Sequence, residues 1–140
     1  MDDADYRQVL LALKHYSQKY QVAVIAYCLM PNHYHWLVRQ DGQVAARVVP
    51  QYVFNGYVKT FNARYDNSGT LFEGPFEAKL VDTEQYLLNL CCYAHANPVR
   101  HGFAAATELW PYSNYLEWIG QRTGTLVDTA FVATRFPDPQ

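Results

Sequence analysis

The chain has 140 residues, of which half are hydrophobic and 17% are charged. This length fits one domain with a single core, and this composition excludes a disordered chain. The net charge of −2 excludes a chain that is basic over its whole surface, as general nucleic-acid-binding proteins usually are. The stretch 44–65 nevertheless carries Arg47, Lys59 and Arg64 without any acid, which is compatible with a local basic face.

The cysteines and the hydropathy of the chain indicate a compartment. Three cysteines, two of them adjacent, build no disulfide framework. No apolar run is long enough to span a membrane, and no signal peptide is visible. These features predict a cytoplasmic protein.

The first part of the chain has the pattern of a helix followed by two strands. Apolar residues recur at helical spacing through residues 4–20. Residues 22–30 and 33–39 are β-prone runs joined by a turn at Pro31 and Asn32. Alternation along the second strand gives each sheet face its own set of side chains: His33, His35 and Leu37 on one, and Tyr34, Trp36 and Val38 on the other.

The second part adds a helix at 48–65, a strand at 72–81 and a further helix at 82–97. Asp82 can cap this last helix together with Gln85, three residues later. Because Pro98 disfavours helical backbone at Asn97, we expect the helix to end there. The order of these elements predicts an α+β fold in which helices cover an antiparallel sheet.

His33 and His35 form the first candidate site. Histidines at i and i+2 of a strand project from the same face, so their imidazoles can converge on one divalent metal. The spacing alone is equally typical of two ordinary sheet histidines. A tight turn before them and an apolar strand beside them would give a metal site rigid support.

Tyr93 and Asn97 form the second candidate site. They are four residues apart on the predicted helix, so their side chains share one face. This pair also fits a boundary tyrosine followed by a helix cap. Combined with the histidines, however, it specifies a chemistry. A metal held by two imidazoles and an amide oxygen leaves positions for phosphate oxygens, and a tyrosine hydroxyl can attack the phosphorus to form a covalent intermediate.

Four motifs in chain order resemble those of one family. Residues 27–38, YCLMPNHYHWLV, resemble the MPNHxHxLV signature of the HUH transposases. Residues 93–102, YAHANPVRHG, resemble the YIHxNPVRAG block of the REP-associated tyrosine transposases. Phe61-Asn62 with residues 69–74 resemble the intervening FN…GxLFxGxF stretch, and residues 110–115 resemble the WxxSSY motif. The chain therefore resembles a single-tyrosine HUH transposase of this branch.

The resemblance implies a ferredoxin-like, Rep-type HUH endonuclease fold at residues 1–120, followed by a tail at 121–140. It implies a transposase that nicks and rejoins single-stranded DNA through a covalent 5′-phosphotyrosine. Tyr93 is the implied nucleophile, and His33, His35 and Asn97 are the implied ligands of Mg²⁺ or Mn²⁺.

The implied substrate is single-stranded DNA with a hairpin or palindrome, at the nucleoid in the cytoplasm of a prokaryote. Whether the protein is a monomer or a homodimer stays open. We expect DNA contacts from five polar or basic residues: Lys59, Asn62, Arg64, Lys79 and Arg100.

The sequence also departs from the family. Members usually open with an edge strand, whereas this sequence starts almost at its first helix. We therefore expect a sheet that lacks its first edge strand and leaves an unpaired strand near the histidines. Pro75 stands where the family often has arginine, which removes one expected phosphate contact.

Two alternatives remain open. The chain could be a catalytically inactive or domesticated remnant that binds DNA without cleaving it. It could also be an unrelated zinc protein that uses the histidines together with Cys28. Tight DNA binding without a covalent adduct would favour the first alternative, and chelator-resistant zinc would favour the second.

Overall fold

A computed structural model describes residues 3–31, 34–64, 80–122, 124, 126–128 and 130. The chain folds in the order α1 (Asp3–Lys19), β1 (Val22–Leu29), β2 (Tyr34–Gln40), α2 (Val48–Arg64), α3 (Glu84–Arg100), a short 3-10 helix (Thr107–Leu109) and α4 (Tyr115–Trp118). The predicted α+β class with antiparallel pairing is confirmed. The strand predicted at 72–81 lies outside the described residues, except for its last two, which are in no strand. No helix in the described part of the chain could cross a membrane.

β1 and β2 form an antiparallel hairpin around which the described helices pack. Leu29 pairs with Tyr34 beside the turn, and Val22 pairs with Gln40 at the other end. β1 is apolar along its whole length and seven of its eight residues are buried. A strand of this kind is covered on both faces, so β1 forms the centre of the core.

The two faces of β2 contact different helices. Tyr34 and Trp36 stack on Phe54 of α2, with ring centroids 4.2 and 5.1 Å apart. His35 points the other way and contacts Tyr93 of α3. α2 and α3 therefore lie on opposite sides of the hairpin, as the predicted alternation of β2 requires. α1 packs on α2 and β1 through a buried apolar stripe that includes Val9 and Leu13.

The edge of β1 that faces away from β2 is covered by the C-terminal part of the chain. Leu29 N–H donates to the carbonyl of Tyr112 at 2.8 Å, and Asp128 N–H donates to the carbonyl of Val24 at 2.8 Å. The Trp110 indole N–H donates to the Leu29 carbonyl at 2.9 Å. The expectation of an unpaired strand is therefore wrong for β1, because segments about 80 to 100 residues later satisfy its backbone groups.

The side chain of Asn114 bonds to the backbone of β1 as a neighbouring strand would. Its Oδ1 accepts from Tyr27 N–H at 2.9 Å, and its Nδ2 donates to the Ile25 carbonyl at 3.0 Å. Oδ1 also lies 2.7 Å from Nε2 of His95 on α3. Because Oδ1 can only accept, His95 must carry its proton on Nε2. Burial lowers the pKa of His95 below its ordinary value, which keeps this imidazole neutral.

α3 differs from the sequence prediction at both ends. Its N-cap is Thr83, whose Oγ1 accepts from Tyr86 N–H, and not Asp82. The helix also does not stop at Asn97 but continues through Pro98 to Arg100. Proline removes a single N–H donor, and this loss is tolerated in the last turn of a packed helix.

The C-terminal end of α3 is set by Gly102. This residue has φ +78°, a left-handed conformation that favours glycine. Gly102 N–H donates to Val99 and Phe103 N–H donates to Pro98, which is the Schellman arrangement. The helix is thus ended by glycine four residues beyond the proline, and this extra turn carries Arg100.

We predict that Asn114→Ala lowers the free energy of unfolding by about 2–4 kcal/mol, because it leaves buried hydrogen-bonding groups of Tyr27 and His95 without partners. Urea unfolding measures the change. The matched control is Asn55→Ala on the exposed surface of α2, for which we expect a change within about 0.5 kcal/mol. Equal effects of the two substitutions would contradict the strand-replacing role of Asn114.

Candidate active site

His35 and Tyr93 meet on the α3 face of the hairpin. Their ring centroids lie 5.6 Å apart with an interplanar angle of 84°, so one ring presents its edge to the other. The Tyr93 side chain is 43% exposed, and it therefore points neither into the core nor to the far side of the sheet. The structure thus brings the predicted nucleophile beside one of the two predicted histidine ligands.

Asn97 lies one helical turn after Tyr93 and is fully buried. Its Nδ2 donates to the Tyr93 carbonyl at 3.0 Å. Its Oδ1 is also buried and has no hydrogen-bond partner among the described residues. A buried amide oxygen left in this state costs about 1–3 kcal/mol, so folded proteins rarely retain one without a reason.

The donor atoms at this position fit the divalent metal that the resemblance implies. An imidazole and a neutral amide oxygen are both known ligand types for first-row divalent ions, and Mg²⁺ and Mn²⁺ accept oxygen donors readily. This fit is supported by the buried Oδ1 of Asn97, which has no hydrogen-bond partner among the described residues. His33, two residues before His35, lies outside the described residues.

Arg100 also contacts the tyrosine. Its guanidinium carbon is 4.8 Å from the centroid of the Tyr93 ring, which is cation–π distance. The Tyr93 ring therefore contacts both the His35 imidazole and a permanent positive charge. The sequence signal for this contact was available, because residues seven apart lie two turns apart on one helix face.

The other residues predicted to contact DNA are placed differently. Lys59, Asn62 and Arg64 lie in the second half of α2, the helix on the opposite side of the hairpin from α3. Lys79 lies outside the described residues, as does Pro75. Of the five predicted DNA contacts, the structure thus brings Arg100 to Tyr93 and leaves three others in the α2 layer.

His95 stands apart from this chemistry, whereas Cys28 lies next to His35. The His95 ring packs edge-on against Trp118 and bonds Asn114, which makes it part of the core. Cys28 is paired with His35 across the hairpin, but burial raises the pKa of its thiol to about 12. Within the described residues no three His, Cys, Asp or Glu side chains form a group that could hold a metal ion. His33, which the zinc alternative also requires, lies outside those residues.

Comparison with known proteins gives one curated relative. A Haemophilus influenzae protein named "Putative REP-associated tyrosine transposase" is 28% identical to this chain, and the match covers 74% of this chain. The match covers 65% of that protein's own length. No family model matches the chain, and no solved structure matches it. The relative confirms the resemblance predicted from the four motifs: over about three quarters of its length, the chain is similar to a REP-associated tyrosine transposase.

Proposed function

We propose that this chain is a transposase that cuts and rejoins single-stranded DNA through a covalent bond between Tyr93 and the 5′ phosphate. The observation that carries the proposal is the contact of Tyr93 with His35, one turn from the uncommitted amide oxygen of Asn97. The similarity to a protein named as a tyrosine transposase supports the same conclusion. We also propose the Rep-type HUH endonuclease fold as the finer architecture.

His35, Asn97 and the neighbouring His33 would hold the metal, Mg²⁺ or Mn²⁺. When bound, the metal supplies a Lewis acid that withdraws charge from the oxygens of the scissile phosphate. The protein contributes rigid positions for the donors. β2 fixes His35 through its pairing with β1, and helix packing fixes Asn97, whose Nδ2 is already engaged by the Tyr93 carbonyl.

Tyr93 supplies the nucleophile. Its phenol loses its proton and the oxygen bonds to phosphorus, while the bond from phosphorus to the 3′ oxygen breaks and that oxygen gains a proton, so one proton is lost and one is gained. Rejoining reverses these events, because a 3′ hydroxyl attacks the phosphotyrosine and releases the phenol. The covalent link keeps the energy of the broken phosphodiester, so no external energy source is needed.

Arg100 has two roles in this scheme. Its guanidinium lies against the Tyr93 ring and limits the orientations that the phenol can adopt. A guanidinium is also the side chain that best matches phosphate oxygens. Once a phosphate is esterified to the phenol, the same charge stabilises it. Arg100 therefore both positions the nucleophile and contacts the DNA phosphate.

The proposed substrate is single-stranded DNA with a hairpin or palindrome, encountered at the nucleoid in the cytoplasm. The alternative is a remnant that binds such DNA but does not cut it. Only the transposase would form a covalent protein–DNA adduct, so detection of this adduct distinguishes the two.

We predict that Tyr93→Phe abolishes the adduct when the protein is incubated with hairpin-bearing single-stranded DNA and Mn²⁺, because the attacking oxygen is gone. His35→Ala should slow adduct formation by at least about 100-fold, since metal stabilisation of the phosphate contributes several kcal/mol. A denaturing gel with labelled DNA measures both. Tyr86→Phe, two turns earlier on α3, is the matched control and should form the adduct normally.

Two results of this experiment would contradict the proposed mechanism. An adduct that persists in Tyr93→Phe would show that another residue is the nucleophile. DNA binding by the unmodified protein without any adduct would support the inactive remnant and contradict the transposase.

We predict that Asn97→Leu removes most of the thermal stabilisation that Mn²⁺ gives the protein. A ligand at 100 times its dissociation constant stabilises the folded state by about 2.7 kcal/mol, which corresponds to several degrees in Tm. In EDTA the same substitution should change Tm little, because it replaces a buried oxygen without a described partner by an apolar group of similar size.

The matched control is Asn89→Leu, an exposed asparagine two turns earlier on α3. It should keep the full Mn²⁺ shift. An unchanged shift in Asn97→Leu would exclude Asn97 as a ligand, and the absence of any shift in the unmodified protein would contradict the metal site.

A further inference from the structure

Charge is unevenly divided between the two sides of the molecule. Residues 3–64, from the start of α1 to the end of α2, contain three acids, Asp3, Asp5 and Asp41. Asp3 is paired with Arg7 at 2.8 Å, and Asp41 with Arg39 at 2.7 Å. The same stretch contains seven basic residues: Arg7, Lys14, Lys19, Arg39, Arg47, Lys59 and Arg64. Residues 80–130, which build α3 and α4, contain five acids and two basic residues. The α1–α2 layer is therefore basic in a chain whose net charge is negative.

Three tyrosines form a layered stack on this basic side. The rings of Tyr16 and Tyr20 on α1 lie 6.4 Å apart and nearly parallel, at 7°. The ring of Tyr52 on α2 lies over both, 5.4 Å from Tyr16 and 5.9 Å from Tyr20, within 20° of parallel. The Tyr52 side chain remains 49% exposed. The Tyr52 ring is thus supported by two neighbouring rings and still accessible to solvent.

Cationic groups lie next to the stack. The Lys19 ammonium is 5.5 Å from the centroid of Tyr20. Lys59 is exposed and lies seven residues after Tyr52, two turns further along the same face of α2, about 10 Å away along the axis.

We propose that Tyr52, backed by Tyr16 and Tyr20, is a second binding surface for single-stranded nucleic acid, on the opposite side of the hairpin from Tyr93. An unpaired base stacks on the exposed Tyr52 ring, and Lys19 and Lys59 contact the backbone phosphates. Exposed aromatic rings among positive charges are the combination that binds single strands without reading their sequence. The choice of single-stranded DNA as the ligand rests on the function proposed above. The binding surface itself consists of residues that the proposed function does not use.

The chemistry of the surface selects this occupant over a protein partner. Tyrosines are common in protein interfaces, but lysine is depleted there, so the ammonium groups beside the stack favour a phosphodiester strand. The charge of this surface is opposite to that of a phosphodiester backbone. A strand held here increases the local concentration of DNA around the protein without occupying the position of the phosphate at Tyr93.

The experiment measures binding of a labelled single-stranded oligonucleotide without a hairpin by fluorescence anisotropy in EDTA. Tyr52→Leu should bind about tenfold more weakly, because it keeps an apolar side chain but loses the ring. Tyr52→Phe keeps the ring and should bind as the unmodified protein does. Thermal unfolding of each variant checks that the fold is retained.

Salt dependence gives a second reading that does not depend on the aromatic stack. For Lys19→Gln the slope of log affinity against log salt should become shallower by about 0.7, the value for one phosphate contact on a single strand. Arg7→Gln is the matched control, because Arg7 is on the same helix but is bonded to Asp3 and lies about 18 Å from Lys19 along the axis. Its slope should not change.

The adduct assay separates this inference from the proposed function. If Tyr52→Leu weakens binding while Tyr52→Phe does not, the binding surface is supported even if the unmodified protein forms no adduct. If the unmodified protein forms the adduct but Tyr52→Leu and Lys19→Gln bind single strands as tightly as it does, the inference is overturned. Equal loss of binding in Tyr52→Leu and Tyr52→Phe would also overturn it, because the ring would then not be the contact.

Discussion

The antiparallel register between β1 and β2 determines which chemistry each side of the molecule can present. Side chains alternate along a strand, so a slip of one residue would carry His35 to the α2 face and Trp36 to the α3 face. Such a slip is prevented because β1 is buried and is hydrogen-bonded along both edges. The contact of His35 with Tyr93 on α3 therefore depends on this pairing.

Two buried asparagines differ in how completely the fold satisfies their hydrogen-bonding groups. Asn114 has partners for both ends of its amide and joins β1 to α3. Asn97 has a partner for its nitrogen only, and its oxygen is buried beside the candidate nucleophile without one among the described residues. Since burying an amide oxygen without a partner is unfavourable, the fold tolerates Asn97 most readily if a ligand completes it.

Local patterns in the sequence predicted the hairpin, the first two helices and the opposite faces of β2. They predicted α3 but not its ends. The helix was predicted to end before Pro98, but it continues through the proline until Gly102 ends it. Its N-cap is Thr83, one residue later than the predicted Asp82. The cover over the outer edge of β1 could not be predicted, because it joins residues such as Tyr27 and Asn114, which are 87 positions apart, and no local signal encodes such a pairing.

The candidate site was predictable in part for the same reason. The spacing of Tyr93 and Asn97 on one helix follows from the helical period, and their motif resembles a known block. Two features depend on tertiary contacts that the sequence does not display: α3 packs on the His35 face, and Arg100 lies over the Tyr93 ring. The positions of His33, Lys79 and Pro75 lie outside the described residues, as does the strand predicted at 72–81 except for its last two residues.

We propose that one divalent metal binds at His35 and Asn97, next to Tyr93. Paramagnetic line broadening tests it most directly: Mn²⁺ is added in substoichiometric amounts, and the NMR signals of the His35 ring, the Tyr93 ring and the Asn97 side-chain amide are followed. We expect these three groups to broaden first and together. Broadening centred elsewhere on the protein, with these three signals remaining sharp, would contradict the account.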